Sequence, residues 1–237
     1  MSFYISFAFI IFFATFVQGI AGFAAALIAM PLMMKLLGAQ TAVPLMAPIF
    51  LFLMTIMLIR YRNSMNFKAV WRLALATIFG IPIGLYILRH ISETITLPIF
   101  GAFIIFYAIY NLMGLKLPEL KNQNWAFGAG FFGGIMSGAF NTSGPPIVAY
   151  AHSQKWEVDE FKANLQAYFL MTTIMANFSH LLAGNFQIAM LPKILFALPF
   201  VLLGNSMGIY VSNFIKPEIF RKLVLLLLLV IGIKMLF

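Results

Sequence analysis

The chain has 237 residues, 63% of them hydrophobic and 9% charged, and carries a formal charge of +9. Soluble domains contain about 25% charged residues, so this composition excludes a water-soluble fold and predicts an all-α, polytopic membrane protein. The absence of cysteine excludes disulfides and thiolate-bound metals, and the positive charge is typical of cytoplasmic loops rather than of nucleic-acid binding. The three histidines are too scattered to chelate a metal ion, so we expect no metal and no cofactor.

The first half begins with an interrupted apolar stretch at residues 3–37. It contains the segment GIAGFAAALIAMP at 19–31, preceded by Gln18, and glycine and proline break the helical pattern there. Three further apolar segments follow, within 41–59, 69–88 and 95–115. The first loop between them is strongly basic and the second is not. The basic residues are Arg60, Arg62, Lys68 and Arg72 in the first loop and Arg89 in the second.

The second half repeats this plan with the loop charges reversed. Its interrupted stretch, residues 125–151, contains GGIMSGAFNTSGPP at 133–146, and three apolar segments follow. GIPIGLY at 80–86 and GNSMGIY at 204–210 share the pattern G-x-x-x-G-x-Y, for which we favour helix packing as the explanation. Here the first loop is weakly basic and the second strongly basic. The residues are Lys193 in the first loop and Lys216, Arg221 and Lys222 in the second.

Opposite charge bias in equivalent loops predicts two inverted repeats, 1–115 and 125–237, joined by a linker at 116–124 in one membrane domain. Eleven of the fifteen Lys and Arg residues then lie in the cytoplasm. The cytoplasmic loops would be 60–72, 116–124, 152–162 and 213–222. This topology requires each interrupted stretch to go in and come back, as a hairpin with arms of about 12–17 residues. Each repeat is then a hairpin of short helices plus three transmembrane helices, giving eight to ten membrane segments.

The second interruption has the chemistry of an anion site. Pro145 and Pro146 cannot continue a helix but suit the first turn of a new one, which places Thr142, Ser143 and Gly144 at its N-cap. A helix start carries partial positive charge and free N–H groups, which bind anions. Irregular backbone inside a bilayer survives only beside protein or a wet cavity. We therefore expect Asn141, Thr142, Ser143 and Gly144, with Gln18 and Gly22 from the first interruption, to line a site near the midplane between the two hairpins.

These two stretches resemble the sulfite exporter TauE/SafE family. The resemblance rests on GGIMSGAFNTSGPPIVAY with KANLQAYF at 162–169, and on GIAGFAAALIAMPLM at 19–33. It implies a duplicated transporter for sulfite or small organic sulfur anions. The family's first block is usually richer in glycine, whereas this chain has Ala24, Ala25 and Ala26. Because alanine avoids positive φ, we expect a less open first break, and whether these alanines line the site stays open.

Ionisable side chains are scarce inside the predicted membrane segments. All six acidic residues fall in loops or at segment ends, which argues against a cation site and suits an anion pathway. Asn177 and His180 share a helix face and are further candidate ligands, with His180 the one mid-chain proton carrier. A hydrogen-bonded histidine near the membrane interface is the structural alternative.

We therefore expect a multi-pass protein of the bacterial inner membrane that exports a small sulfur-containing anion. The membrane potential alone could drive such export. An anion channel and proton-coupled uptake are alternatives. An intramembrane enzyme with Ser143 and His180 as its pair is a more distant one, and we expect no catalytic residue. The expected partners are the anion and the lipid bilayer, not nucleic acid, and a homodimer is left open.

Overall fold

The structure is a computed structural model that describes residues 2–114, 120 and 122–236. Within these ranges the chain forms ten α-helices, two short 3-10 turns and no strand. The helices are α1 (Ser2–Ala21), α2 (Ala25–Leu37), α3 (Ala39–Tyr61), α4 (Phe67–His90), α5 (Glu93–Leu112), α6 (Trp125–Phe140), α7 (Gly144–Ser153), α8 (Val158–Leu182), α9 (Leu191–Ser212) and α10 (Pro217–Leu236). Residues 116–119 and 121 of the predicted linker 116–124 lie outside the described residues.

Five helical segments of the described chain are long and apolar enough to cross a membrane. They are Phe3–Ala21, Ala39–Ser64, Phe67–His90, Glu93–Leu112 and Ile188–Ser212. Large apolar side chains such as Phe9, Phe79 and Phe106 are about two-thirds exposed on these helices, as lipid-facing residues are. The predicted all-helical, multi-pass membrane protein is confirmed at this level.

Both interrupted stretches break where the sequence indicates. The first breaks between α1 and α2 at residues 22–24, and the second between α6 and α7 at residues 141–143. The predicted arm length of 12–17 residues is wrong for two of the four arms. Helix α1 has 20 residues, because its apolar run is unbroken from residue 3, and α7 has only 10.

The helices group into two compact units that do not coincide with the two halves of the sequence. The first unit contains Met1–Leu45, Ile91–Leu115 and Ile188–Phe237. Within it, α1 packs along α9 and α5 packs along α10. An added Cβ at Gly204 or Gly208 would overlap the backbone of α1, so these glycines set the approach of α9.

The second unit contains Met46–His90 and Lys116–Gln187, and its seam is the packing of α4 along α6. Added Cβ atoms at Gly80 and Gly84 would overlap the backbone of α6, and those at Gly134 and Gly138 the backbone of α4. The packing explanation for the shared G-x-x-x-G-x-Y pattern is therefore confirmed in both units. Helices α7 and α8 and the part of α3 from Met46 onward also belong to this unit.

The acidic residues whose positions are described lie at helix ends. Glu93 opens α5, and Glu157, Asp159 and Glu160 lie at the start of α8. The Glu93 carboxylate accepts a hydrogen bond of 2.6 Å from the Ala39 N–H and so caps the start of α3. These carboxylates therefore lie at helix starts rather than in the middle of a membrane segment.

Candidate functional site

The second break is a tight connection of three residues. Asn141 adopts a left-handed conformation (φ 53°, ψ 22°) and ends α6, with its N–H donating to the Ser137 carbonyl at 2.8 Å. The Thr142 hydroxyl donates to the Phe140 carbonyl at 3.0 Å, which satisfies a carbonyl that the end of α6 leaves open. Pro145 and Pro146 lie in the first turn of α7, as predicted.

Ser143 is the N-cap residue of α7, as predicted, but its hydroxyl does not bond to the helix. Its side chain makes no capping hydrogen bond, because its backbone (φ −98°, ψ −5°) lies outside the extended region that a capping residue adopts. The Ser143 side chain lies close to the hydroxyl of Tyr168 on α8. The hydroxyl at the break therefore faces a neighbouring helix.

Tyr168 lies at the centre of a buried cluster of hydroxyl groups. Its ring is fully buried, and its hydroxyl lies 2.8 Å from Thr77 Oγ1 and beside Thr172. The Thr77 hydroxyl donates its proton to a backbone carbonyl, that of Leu73 or of Gly130. The Tyr168 O–H is therefore the donor in the hydrogen bond between Tyr168 and Thr77. Ser143 can then donate to Tyr168, which makes a chain of hydroxyls that ends at a carbonyl. An added Cβ at Gly133 would lie 2.7 Å from the Tyr168 oxygen, so this glycine makes room for the phenol.

The first break is closed by the side chain of Gln18, which is 1% exposed. The Gln18 Nε2 donates to the Gly22 carbonyl at 3.1 Å, and its Oε1 accepts the Ala25 N–H at 3.0 Å. One amide side chain thus bridges the last turn of α1 and the first N–H of α2. Gln18 was predicted as a ligand. In the structure its side chain instead forms the hydrogen bonds that close the first break.

Ala24 corrects the expectation that alanine would avoid positive φ at the first break. Its φ is 98° and ψ is −6°, and Gly22 two residues earlier has φ 78°. A left-handed backbone costs a residue with a Cβ about 1–2 kcal/mol. The break therefore keeps the geometry that glycine would favour, with strain stored at Ala24.

The glycines at the two breaks differ from those of the helix seams. An added Cβ at Gly22 or Gly144 would meet no atom within 4 Å, whereas those at Gly80, Gly134 or Gly208 would overlap backbone. Space therefore lies beside the start of α7 and beside the end of α1. These are the positions where the sequence predicts a ligand.

Asn177 and His180 lie away from the second break. The Asn177 Nδ2 donates to the carbonyl of Ala47 at 3.0 Å, which ties α8 to α3. His180 is 1% exposed, and its Nδ1 lies 2.9 Å from the Asn185 amide nitrogen in the loop that follows α8. Twelve positions on one helix separate His180 from Tyr168, which corresponds to about 18 Å. His180 is therefore a buried, hydrogen-bonded histidine in the last turn of α8, far along that helix from Tyr168.

Sequence reasoning missed Tyr168 and Thr77, although Tyr168 lies within KANLQAYF, one of the stretches that carries the family resemblance. An alternating apolar helix pattern does not distinguish a buried tyrosine that organises hydroxyls from one that only packs. In the described residues, no group of three or more His, Asp or Glu side chains could hold a metal ion. The second break thus offers hydroxyls and helix N–H groups as its polar atoms.

A sequence profile and a curated protein each match most of this chain. The sequence profile described as Sulfite exporter TauE/SafE matches residues 7–235. A curated protein of Cupriavidus necator, named a probable sulfite/organosulfonate exporter TauE, is 23% identical over 174 residues, which cover 72% of this chain and 68% of that protein. No solved structure matches the chain.

Proposed function

Because the chain belongs to the TauE/SafE sulfite exporter family, we propose that it exports sulfite or a small organosulfonate across the bacterial inner membrane. The match over residues 7–235 is the observation that carries this proposal, and it confirms the resemblance seen in the hairpin motifs. The family is one of transporters. A multi-pass helical protein with apolar surfaces is the scaffold that transport requires.

We propose that the two halves are inverted repeats. Helix α7 begins 119 positions after α2 (144 against 25), and α8 begins 119 after α3 (158 against 39). Helices α9 and α10 begin 124 positions after α4 and α5 (191 against 67, and 217 against 93). The left-handed residues Gly22 and Asn141 are also 119 positions apart. Offsets of 119 to 124 positions between corresponding helices support duplication, and the reversed loop charges support opposite orientation.

The proposed substrate site in the second unit is the start of α7. Pro145 and Pro146 have no N–H, so the backbone donors at this helix start are the N–H groups of Ser143 and Gly144, which lie at the positive end of the helix dipole. Ser143 adds a hydroxyl that can turn from Tyr168 to an oxyanion, and Asn141, Thr142 and Gly144 shape the space beside it. Neutral donors can replace the water around an anion and still release it, because they leave no fixed charge behind.

The first break, with Gln18 and Gly22, is proposed to present the start of α2 in the same way. Its Ala25 N–H is occupied by Gln18, so an anion there would contact the following N–H groups of the turn or displace the amide. We therefore assign the larger share of substrate binding to the second break.

Export is the direction that this chemistry favours. An inside-negative potential of 100 mV drives a monoanion outward by about 2.3 kcal/mol, without a coupled ion. Uptake against that potential would need a proton carrier at the site, and His180 lies about 18 Å along α8 from Tyr168. The same separation leaves Ser143 without a histidine base and disfavours an intramembrane hydrolase.

The test is efflux of radiolabelled sulfite and of isethionate from proteoliposomes. We expect saturable efflux that accelerates when valinomycin and a potassium gradient make the interior negative, and counterflow when unlabelled anion is added outside. Efflux no faster than from empty liposomes for either anion would refute the proposal. Efflux that neither saturates nor shows counterflow would identify an anion channel instead of a carrier.

A further inference from the structure

The second unit contains a cavity away from the hairpin break. It has a volume of about 530 Å³ and lies where the start of α4, the start of α6 and the end of α7 meet. This volume is in the range of sites for organic ligands and exceeds what a bare sulfite ion needs. The loop charges place this end of the second unit in the cytoplasm.

The lining of the cavity is cationic and aromatic. Lys68 and Arg72 supply two positive charges, and Trp71, Tyr150 and Trp156 supply aromatic surface. None of the lining residues that the structure describes is a carboxylate. Glu160 accepts a hydrogen bond of 3.1 Å from the side chain of Asn66, which is a lining residue. The lining therefore suits an anion that carries an apolar part.

Two neighbouring side chains orient Arg72 and leave N–H donors of its guanidinium available for a ligand. One of its Nη atoms donates to Gln123 Oε1, and the guanidinium lies 5.0 Å from the centre of the Trp71 ring. A guanidinium has five donors in a planar fork that matches two oxygens of an oxyanion. Tyr150 is 5% exposed, and its ring packs edge-on against Trp156 at 6.3 Å. The cavity therefore presents packed aromatic side chains next to the oriented guanidinium of Arg72.

A buried donor stands next to the cavity wall. Asn164 is 1% exposed, and its Oδ1 accepts the Asn66 N–H at 2.8 Å. Its Nδ2 has no hydrogen-bond partner within the described part of the chain. Leaving such a donor unpaired is unfavourable, and Asn66, the residue to which Asn164 is bonded, lines the cavity.

We propose that this cavity is a cytoplasmic loading site for organosulfonates with an apolar tail. The sulfonate binds the Arg72 fork and Lys68, and the tail packs against Trp71, Tyr150 and Trp156. Its role in transport rests on the proposed export function, whereas binding itself does not. The cavity would raise the local concentration of substrate at the inner end of the second unit before the anion moves to the break.

Tryptophan fluorescence tests binding without transport. The chain has three tryptophans, of which Trp71 and Trp156 line the cavity and Trp125 opens α6 next to lining residue Ala126. We expect butane-1-sulfonate to shift the emission of the full-length protein in phosphatidylcholine nanodiscs in a saturable way. Methanesulfonate should bind more weakly, by up to about fourfold for each methylene lost. Butyltrimethylammonium should cause no shift.

The deciding variant is Arg72→Gln, with Arg62→Gln as its matched control. Both remove one charge from the same loop, but only Arg72 lines the cavity. We expect Arg72→Gln to raise the dissociation constant at least tenfold and Arg62→Gln to leave it within about twofold, as a charge-assisted bidentate contact predicts. Equal effects of the two variants, or no saturable shift in the wild type, would overturn the proposal.

Two further outcomes distinguish the loading site from a lipid-binding site and from a failure of the export function. If added phosphatidylglycerol alone reproduces the shift and abolishes the response to butane-1-sulfonate, the occupant is a lipid headgroup and the loading site is refuted. In proteoliposomes, Arg72→Gln should raise the half-saturating internal concentration and leave the maximal efflux rate within about twofold. Binding in the cavity without efflux of any sulfonate would refute the export function and leave the cavity as an anion site.

Discussion

The two hairpin breaks have the same backbone plan and different side-chain chemistry. Each has a left-handed residue directly after its first helix, Gly22 in one and Asn141 in the other. In the first break, one amide from the hairpin itself, Gln18, bonds both sides of the gap. In the second, Ser143 at the helix start lies close to Tyr168 on another helix. The polar side chain of the first break is therefore engaged within its own hairpin, whereas that of the second faces a neighbouring helix.

The largest effect on stability is expected at Gln18. Gln18→Leu removes both bridging hydrogen bonds and leaves the buried Ala25 N–H and Gly22 carbonyl unpaired, which should lower the free energy of unfolding by about 2–4 kcal/mol. Thermal unfolding in detergent measures this. Ser143→Ala should cost no more than about 1 kcal/mol, because it removes one hydroxyl from a cluster that keeps its other members. Equal losses in the two variants would remove the distinction between the breaks.

Transport should show the reverse order. Ser143→Ala is expected to raise the half-saturating anion concentration about tenfold, since a hydrogen bond to a charged ligand contributes about 1.5–3 kcal/mol. Concentration dependence of efflux from proteoliposomes measures it. Ser212→Ala is the matched control, because that hydroxyl donates to the Ile209 carbonyl of its own helix at 2.7 Å. An unchanged half-saturating concentration in Ser143→Ala would exclude the hydroxyl as a ligand.

Strain at the first break gives a smaller effect of opposite sign. Ala24→Gly should stabilise the protein by up to about 1 kcal/mol, because glycine relieves the cost of φ 98° but loses more entropy on folding. Ala26→Gly, inside α2, should instead destabilise by about 0.5–1 kcal/mol. Chemical denaturation in detergent compares the two variants. A loss of stability in both would mean that Ala24 is unstrained.

The smallest effect on stability is expected at Gly144, which has free space beside it at the start of α7. Gly144→Ala should change stability by no more than about 0.5 kcal/mol, since its Cβ would meet no atom within 4 Å and its φ is not positive. Gly22→Ala has the same free space but φ 78°, so it should cost about 1 kcal/mol. Unfolding midpoints distinguish them. A large loss in Gly144→Ala would show that the space is not there.

Local chemistry made much of the second break predictable from sequence. Two adjacent prolines fix where α7 can begin, and glycine repeats spaced by four mark the helix seams. Both features act through the backbone of their own segment. The composition was likewise sufficient to predict a multi-pass helical protein.

What sequence could not supply depends on distant residues. The contact of Ser143 with Tyr168 joins α7 to α8, and the bridge made by Gln18 depends on where the chain turns. Ala24 shows that a local preference can be overridden when its surroundings determine the backbone. The division into units in which α1 packs along α9 and α4 along α6 is likewise a property of tertiary packing, not of chain order.

The central claim is that uncharged donors at the start of α7 hold the anion, and ligand-dependent stability tests it most directly. Thermal unfolding of wild-type protein and of Ser143→Ala would be measured with increasing sulfite, isethionate or a chloride control at constant ionic strength. We predict stabilisation of the wild type by about 2.7 kcal/mol at one hundred times the dissociation constant, with the titration curve of Ser143→Ala shifted about tenfold to higher anion concentration. Identical curves for the two proteins, or no stabilisation by either anion, would contradict the account.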